Sequence, residues 1–478
     1  MENPVLPILR DALRGTEYEG RLFLVGGYVR DKLMNRPGSA AIDDIDLVLE
    51  GDASGVAHLL WKKRVAWHKP VEFPTFGTAM VRVGGTGPDN PGAQVELVTA
   101  RQETYRQGSR KPVVTPGTIA SDALRRDFTI NTFLENLHTG EITDPTGRGY
   151  ADLQVKLLRT PLDPVITFTD DPLRMLRAAR FAAKLGFAVE ESTLAAIRSN
   201  AFRLSPEHGI SFERVRDELV KTLPTAGAAH GLEMMRETGL LAQFAPELVA
   251  MQGVTQNRFH LYDVWEHTLV ALSNLPPDAD GGVRLAVLLH DVGKPATRTV
   301  DPQSGDVHFY EHEKVGAEIA RTVMNRLKFS GDEIDRVVAL VGLHMRYGAY
   351  NSDEWTDASV RRLIRAVGEH RRDLFTIARA DVSACATTDE SGIPFPTADL
   401  AGLSERMEHI ETTAHITTAT SPLSGQEIME RLALPAGRLV GTIKNALTDA
   451  VVAGELAPDD KAGAETMAQT ILSNLQQL

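Results

Sequence analysis

Hydrophobic and polar positions alternate with a period of two through Ile42-Asp-Asp-Ile-Asp-Leu-Val-Leu49. This predicts a strand with Ile42, Asp44 and Asp46 on one face and Ile45, Leu47 and Leu49 on the other. Upstream, Phe23-Leu24-Val25 is a short apolar run that Gly26-Gly27 cuts off, and a helical pattern resumes at Tyr28-Val29-Arg30. Two more runs, Phe76–Val83 and Ala93–Val98, read as strands around the turn-rich segment Gly84–Gly92, so a small mixed sheet is expected. After Thr169 the period becomes helical. Leu173, Met175, Leu176 and Phe181 supply the apolar side, while Arg174, Arg177 and Arg180 recur every three residues as a slowly drifting basic ridge. Asp171 reads as the N-cap of that helix and Pro172 as its first residue. Leu285–Leu289 is an apolar helical run ending at His290-Asp291, helical hairpins with Gly and Pro stops are expected from Leu423 to Gly441, and Ala464–Leu478 reads as a terminal amphipathic helix.

The apolar pattern makes the polar interruptions informative. Two carboxylates two residues apart on a strand project together, and acidic groups in a buried strand need a cation or donors. Asp44 and Asp46 therefore form a candidate pair for a hard divalent cation such as Mg²⁺. Glu96 in the later strand is a possible third carboxylate. The Gly26-Gly27 break before a helix lets backbone N–H groups approach an anion. Alone, a Gly-Gly is a turn and an Asp-x-Asp is surface charge; their order along one strand–turn–helix–strand segment is what singles them out.

Composition sets limits on this picture. With 478 residues, 42% hydrophobic and 24% charged, the chain is an ordinary globular protein of two to four domains. A net charge of −13 and a pI near 5.6 argue against a generic nucleic-acid coat. Positive charge is nevertheless concentrated locally. Between 101 and 126, Arg101, Arg106, Arg110, Lys111, Arg125 and Arg126 face only Glu103 and Asp122, and Arg174, Arg177, Arg180 and Lys184 have no acidic neighbour from Leu173 to Gly186. One cysteine, Cys385, excludes an intramolecular disulfide framework; with no secretory signal and no membrane-length apolar run in the sequence, a cytoplasmic address is expected.

With Ala123-Leu-Arg-Arg-Asp-Phe-Thr-Ile-Asn131 added, the motifs GGYVRD, DID and RRDFTIN stand in one order. Together they resemble the nucleotidyltransferase head of the class II CCA-adding enzymes of tRNA and the bacterial poly(A) polymerases. Thr132 stands where that family more often has alanine, and Asp144–Asp152 is similar to its head-closing turn, with Arg148 between the two glycines. Asp170-Asp171-Pro-Leu-Arg174 resembles the family's base-reading EDxxR motif, with Asp170 in place of glutamate. Ile210–Leu219 resembles the neck-bracing helix, in which Glu213 and Arg214 read as a structural ion pair.

The resemblance implies an α+β chain. It has a small mixed-sheet nucleotidyltransferase head (1–155), an elongated all-α neck (156–255), an HD-type helical domain (256–385) and a helical RNA-binding tail (386–478). It implies that Asp44 and Asp46 hold Mg²⁺ and leaves Asp43 outside the motif. One ion would activate the RNA 3′-hydroxyl, and the other, with Gly26, Gly27, Arg30 and Arg126, would steady the triphosphate. Asp127 would accept from sugar hydroxyls, Asp171 and Arg174 would read the base of CTP and then ATP, and Arg177 and Arg180 would bind the nucleotide. In the third segment, His267, His290-Asp291 and Asp381 follow the H…HD…D order of the HD phosphohydrolases, a site for a divalent metal of unknown identity, to which His312 and His344 are possible additions. The implied partners are the tRNA 3′ end, CTP and ATP, with no membrane and no protein partner evident. Poly(A) synthesis, CC-only addition and HD phosphohydrolysis are the alternatives. The tail resembles the family body that touches the tRNA elbow, with Gly437 and Gly441 open to close backbone approach.

Overall fold

A computed structural model describes residues 2–36, 44–74, 77–85, 92–104, 113–208, 210–257, 260–348, 350, 354–385, 399–413 and 420–476. Ile42, Asp43, Phe76 and the loop residues Arg106, Arg110 and Lys111 lie outside them. The chain forms two compact units, Met1–Pro246 and Glu247–Leu478. Residues 247–255, placed in the neck from sequence, belong to the second unit.

The first unit is built on a seven-stranded mixed sheet. Its strands are β1 (Leu22–Val25), β2 (Asp44–Leu49), β3 (Val71–Phe73), β4 (Thr78–Val83), β5 (Ala93–Thr99), β6 (Leu134–Asn136) and β7 (Ile142–Thr143), in the order β3-β4-β5-β2-β1-β6-β7. Only β2 and β5 run parallel; the other neighbours are antiparallel. The predicted alternation of β2 is what buries it. Ile45, Leu47 and Leu49 enter a core with Leu6, Leu9 and Leu13 of the helix Val5–Leu13 and Val56 and Leu60 of the helix Ala53–Lys62. Burying each such side chain is worth about 1.5–3 kcal/mol. On the opposite face Val48 is buried with Val25, Ala100, Ala123 and Leu134, whereas Asp46 is half-buried and Asp44 exposed. Part of the expected loop at 106–117 is strand instead: Val113–Pro116 pairs antiparallel with Arg101–Thr104, so β-branched valines win over the flanking Gly and Pro.

The basic ridge lies on a helix Leu173–Leu185, whose buried side carries Leu173, Met175, Leu176 and Phe181 and which ends at Gly186 in the left-handed region. Asp171 is one residue outside the expected capping position, although its Oδ1 still accepts the Leu173 N–H at 3.2 Å. In the second unit, the expected helical hairpins are Gly425–Leu432, opened by a Ser424–Glu427 capping box, and Arg438–Ala453, followed by Lys461–Gln476. Gly441 lies inside the second of these helices rather than at its entry.

Candidate active site and metal centre

Strand register brings the acidic groups together. In the parallel β2–β5 pair, Asp46 is opposite Glu96 and Asp44 opposite Gln94. Asp44, Asp46 and Glu96 therefore share one face and line one cavity of about 760 Å³. Burial raises the Asp46 carboxyl above the usual range; Arg126 opposes that and the Asp44 charge adds to it. Clustered carboxylates of this kind are a donor set for a hard cation.

The turn after β1 forms the adjoining wall. Gly26 has φ +74°, a conformation that favours glycine, and a Cβ there would lie 3.4 Å from Asp46 Oδ2 and 3.6 Å from an Arg126 terminal nitrogen. Among the described residues, Arg126 has a long 3.4 Å contact to Asp122, and its Nε is buried with no hydrogen-bond partner. Arg126 is thus a cation poised for an anion beside the carboxylates.

Several other nominated residues line the same cavity and are also engaged with one another. Arg30 lines the cavity and is buried: its Nε donates to Asp31 at 2.8 Å and a terminal nitrogen donates to Asn131 Oδ1 at 2.7 Å. Asp127 lines the cavity and is held on both carboxylate oxygens. Its Oδ1 accepts from Asn131 Nδ2 and from the Phe128 N–H, each at 2.9 Å, and its Oδ2 takes both Nε and a terminal nitrogen of Arg177 at 2.8 and 2.5 Å. Burial alone would raise the Asp127 carboxyl, but the Arg177 guanidinium holds it far below the ordinary carboxylate range. Arg180 donates to the buried Glu218 at 2.6 Å. Arg30, Arg177 and Arg180 all lie 4.6–5.4 Å from the Phe181 ring centre. The relay Arg30–Asn131–Asp127–Arg177 thereby ties the Gly-Gly turn, the RRDFTIN segment and the basic helix into one rigid wall.

Asp171 and Arg174 both line the cavity. Arg174 donates to the carbonyls of Thr167 and Arg125 at 3.1 and 2.6 Å, which fixes its guanidinium plane. Arg214, expected to pair with Glu213, donates to Asp171 Oδ2 at 3.0 Å and itself lines the cavity. Asn131 belongs to the RRDFTIN motif already singled out, whereas Phe181 and Arg214 line the cavity without having been assigned to the site from sequence, because their partners there are distant in the chain.

The second unit gathers His267, His290, Asp291 and Asp381. His267 Nε2 is 2.9 Å from Asp381 Oδ1, and His290 Nε2 is 3.3 Å from Asp291 Oδ2 and 3.8 Å from Asp381 Oδ1. Both histidines and Asp291 are buried, and among the described residues His290 Nε2 faces the Asp291 carboxylate without a well-formed hydrogen bond, an arrangement that fits a metal-ligand nitrogen. His312 and His344 are buried against the same aspartate rather than lying on a helix surface. Gly293 makes room for this: a Cβ there would fall 2.2 Å from the His312 carbonyl oxygen. Among the described residues no helix is long and apolar enough to cross a membrane.

Comparison with known proteins agrees with this geometry. Residues 22–159 match the poly A polymerase head domain, 186–251 the probable RNA and SrmB-binding site of polymerase A, and 260–379 the HD domain. An A-adding tRNA nucleotidyltransferase of Deinococcus radiodurans is 37% identical over 73% of this chain and 79% of its own length. A CC-adding tRNA nucleotidyltransferase of Thermus thermophilus is 33% identical over 75% and 79%, and a multifunctional CCA protein of Halorhodospira halophila 34% over 73% and 79%. In fold, the chain resembles the Bacillus stearothermophilus CCA-adding enzyme solved with CTP, with a TM-score of 0.66 at 24% identity over 99% of this chain and 98% of that one. Both the head and the HD domain belong to metal-dependent families. With the sheet, the carboxylate face and three matched segments in one order, the chain belongs to the tRNA nucleotidyltransferase family of CCA-adding enzymes and poly(A) polymerases, in its HD-containing form.

Proposed function

We propose that this protein adds CCA to the 3′ end of tRNA without a nucleic-acid template, using CTP and ATP and releasing pyrophosphate. The observation that carries the reading is the convergence of Asp44, Asp46 and Glu96 with the Gly26 turn and Arg126 on one cavity, which Asp171 and Arg174 also line. Relatives named for A addition, CC addition and multifunctional CCA activity support it, as do structural neighbours solved with CTP, ATP and tRNA.

In this reading the RNA 3′-oxygen attacks the α-phosphorus of the nucleotide; one P–O bond forms and the bond to pyrophosphate breaks. Asp44 and Asp46, with Glu96 beside them, would hold Mg²⁺, which when bound would supply charge neutralisation and ease loss of the hydroxyl proton. Arg126 and the Gly26–Gly27 backbone steady the triphosphate, and Arg30, Asn131, Asp127 and Arg177 hold that wall in place. Arg174, immobilised on two carbonyls, and Asp171 present donor and acceptor to a planar base edge. The single cysteine and the tRNA substrate fit a cytoplasmic setting.

Incubating the protein with tRNA lacking its 3′ end and each labelled nucleotide tests the reading. Two C additions followed by one A are expected. C without A, or A on a CC end only, would instead assign a split specificity; runs of A on any RNA would assign a poly(A) polymerase. Phosphate release without extension would shift the activity to the HD domain.

A further inference from the structure

The sheet face that carries the acidic groups does not end at the cavity; strand register extends it to the open edge of the sheet. Asp46 is opposite Glu96, Glu96 opposite Met80 and Met80 opposite Val71. In the next row Val48, Val98, Thr78 and Phe73 follow one another. Directly paired residues project to the same side, so Val71, Phe73 and Met80 share the carboxylate face. The residue between agrees with this: Glu72 projects the other way and pairs with His58 of the helix Ala53–Lys62, which packs on the core face.

β3 is the last strand of the sheet, and Val71 and Phe73 are 45% and 42% exposed. Thr78 and Val98 line the cavity, so this apolar strip is continuous with the site of Asp44, Asp46 and Glu96. Neighbouring strands lie about 4.8 Å apart, which puts β3 about 14 Å from β2. Beyond Glu96, the described residues of β3 and β4 place no acidic side chain on this face. Arg82 stands there instead, opposite Gln94 in the row of Asp44, with a terminal nitrogen 3.4 Å from the Gly92 carbonyl oxygen. An exposed aromatic ring flanked by apolar side chains, with a guanidinium alongside, suits a single strand of RNA, whose bases stack and whose phosphates attract a cation.

We propose that Val71, Phe73 and Met80 form a stacking platform for the unpaired nucleotides that precede the RNA 3′ terminus, with Arg82 against their phosphates. The terminal hydroxyl then lies at Asp44 and Asp46 while one of the two nucleotides before it rests on Phe73. This rests on the reading of the cavity as the site of RNA extension and adds where the growing strand is held. Every base has a π-face, so the platform grips the strand without choosing a nucleotide, a task left to Asp171 and Arg174.

The test binds the full chain, with no nucleoside triphosphate present, to tRNA lacking only its terminal A and carrying 2-aminopurine at either of the two positions before its 3′ end. Quenching of the probe on binding is expected at one of them, with its loss in Phe73→Ala and its return in Phe73→Trp. In steady-state addition of A, Phe73→Ala should raise the KM for tRNA about tenfold, the scale of one stacked base, and leave kcat and the KM for ATP unchanged. Fluorescence unquenched at both positions, or quenching and KM that Phe73→Ala does not alter, would overturn the proposal. So would a dimer of the chain that Phe73→Ala dissolves while the probe stays quenched, since the edge would then join two copies. The fluorescence readout needs no catalysis, so a protein that quenches the probe yet adds no nucleotide would count against the proposed activity and in favour of the platform.

Discussion

Arg214 donates to Asp171 Oδ2 at 3.0 Å across a separation of 43 residues, joining the neck helix Phe212–Thr222 to the residue that opens the basic helix. The other oxygen of Asp171 is taken up by the Leu173 N–H. A base that enters beside Arg174 therefore meets a carboxylate already oriented, and partly neutralised, by Arg214.

Replacing Arg214 by alanine should affect nucleotide choice far more than folding. The pair is substantially exposed, at 50% and 28%, so its loss should cost less than about 1 kcal/mol. Discrimination between CTP and ATP at each addition step should fall about tenfold, the scale of one charge-assisted hydrogen bond. Competition kinetics with both nucleotides checks this, and unchanged selectivity would reduce Arg214 to a surface ion pair.

Glu96 lies in register with Asp46 and should tune its metal affinity. In Glu96→Gln the Mg²⁺ concentration for half-maximal addition should rise about 10–100-fold, the usual cost of losing a supporting group at a metal site. A Mg²⁺ titration of initial rate reads this directly; an unshifted midpoint would remove Glu96 from the site.

Asp127 and Arg177 make a prediction about stability and pH. Asp127→Asn takes the close anion from a partly exposed guanidinium that keeps Glu218 at 3.9 Å, so the cost should fall below that of a fully buried pair, at about 1–3 kcal/mol. Because folding depresses the Asp127 carboxyl, its contribution is fully present above the unfolded pKa of about 3.9 and is lost as pH falls toward the folded value. The difference in unfolding free energy between the natural chain and Asp127→Asn should stay level from about pH 7 to 5 and shrink below about pH 4. Urea denaturation across that range would contradict the account if the gap widened on acidification.

Much of this was legible before any coordinates, for a physical reason. The alternation in β2 sets both which face is buried and which carboxylates share the other face, so the pairing of Asp44 with Asp46 is readable from period, while the order of the motifs is what nominates the pair. The three ridge arginines were readable as a basic face but not by task. Arg174 is bound to carbonyls, Arg177 to Asp127 and Arg180 to Glu218, and only tertiary contacts decide this. Arg30 shows the same limit. Its place in GGYVRD suggests a phosphate ligand; that it is buried and also braces Asn131, 101 residues away, comes only from the fold. For His312 and His344, one short contact to a main-chain carbonyl three residues back fixes the tautomer, and sequence carries no trace of it.

The account rests most directly on the carboxylate pair. Single-turnover incorporation of labelled CMP into tRNA lacking CCA, measured for Asp44→Ala and Asp46→Ala at saturating Mg²⁺, tests it with thermal unfolding as the control. Addition should fall by about 10³-fold or more, several kcal/mol of transition-state stabilisation, with unfolding midpoints close to the natural chain. Either variant extending the RNA at an undiminished rate while remaining folded would contradict the assignment of this cavity as the site of nucleotide transfer.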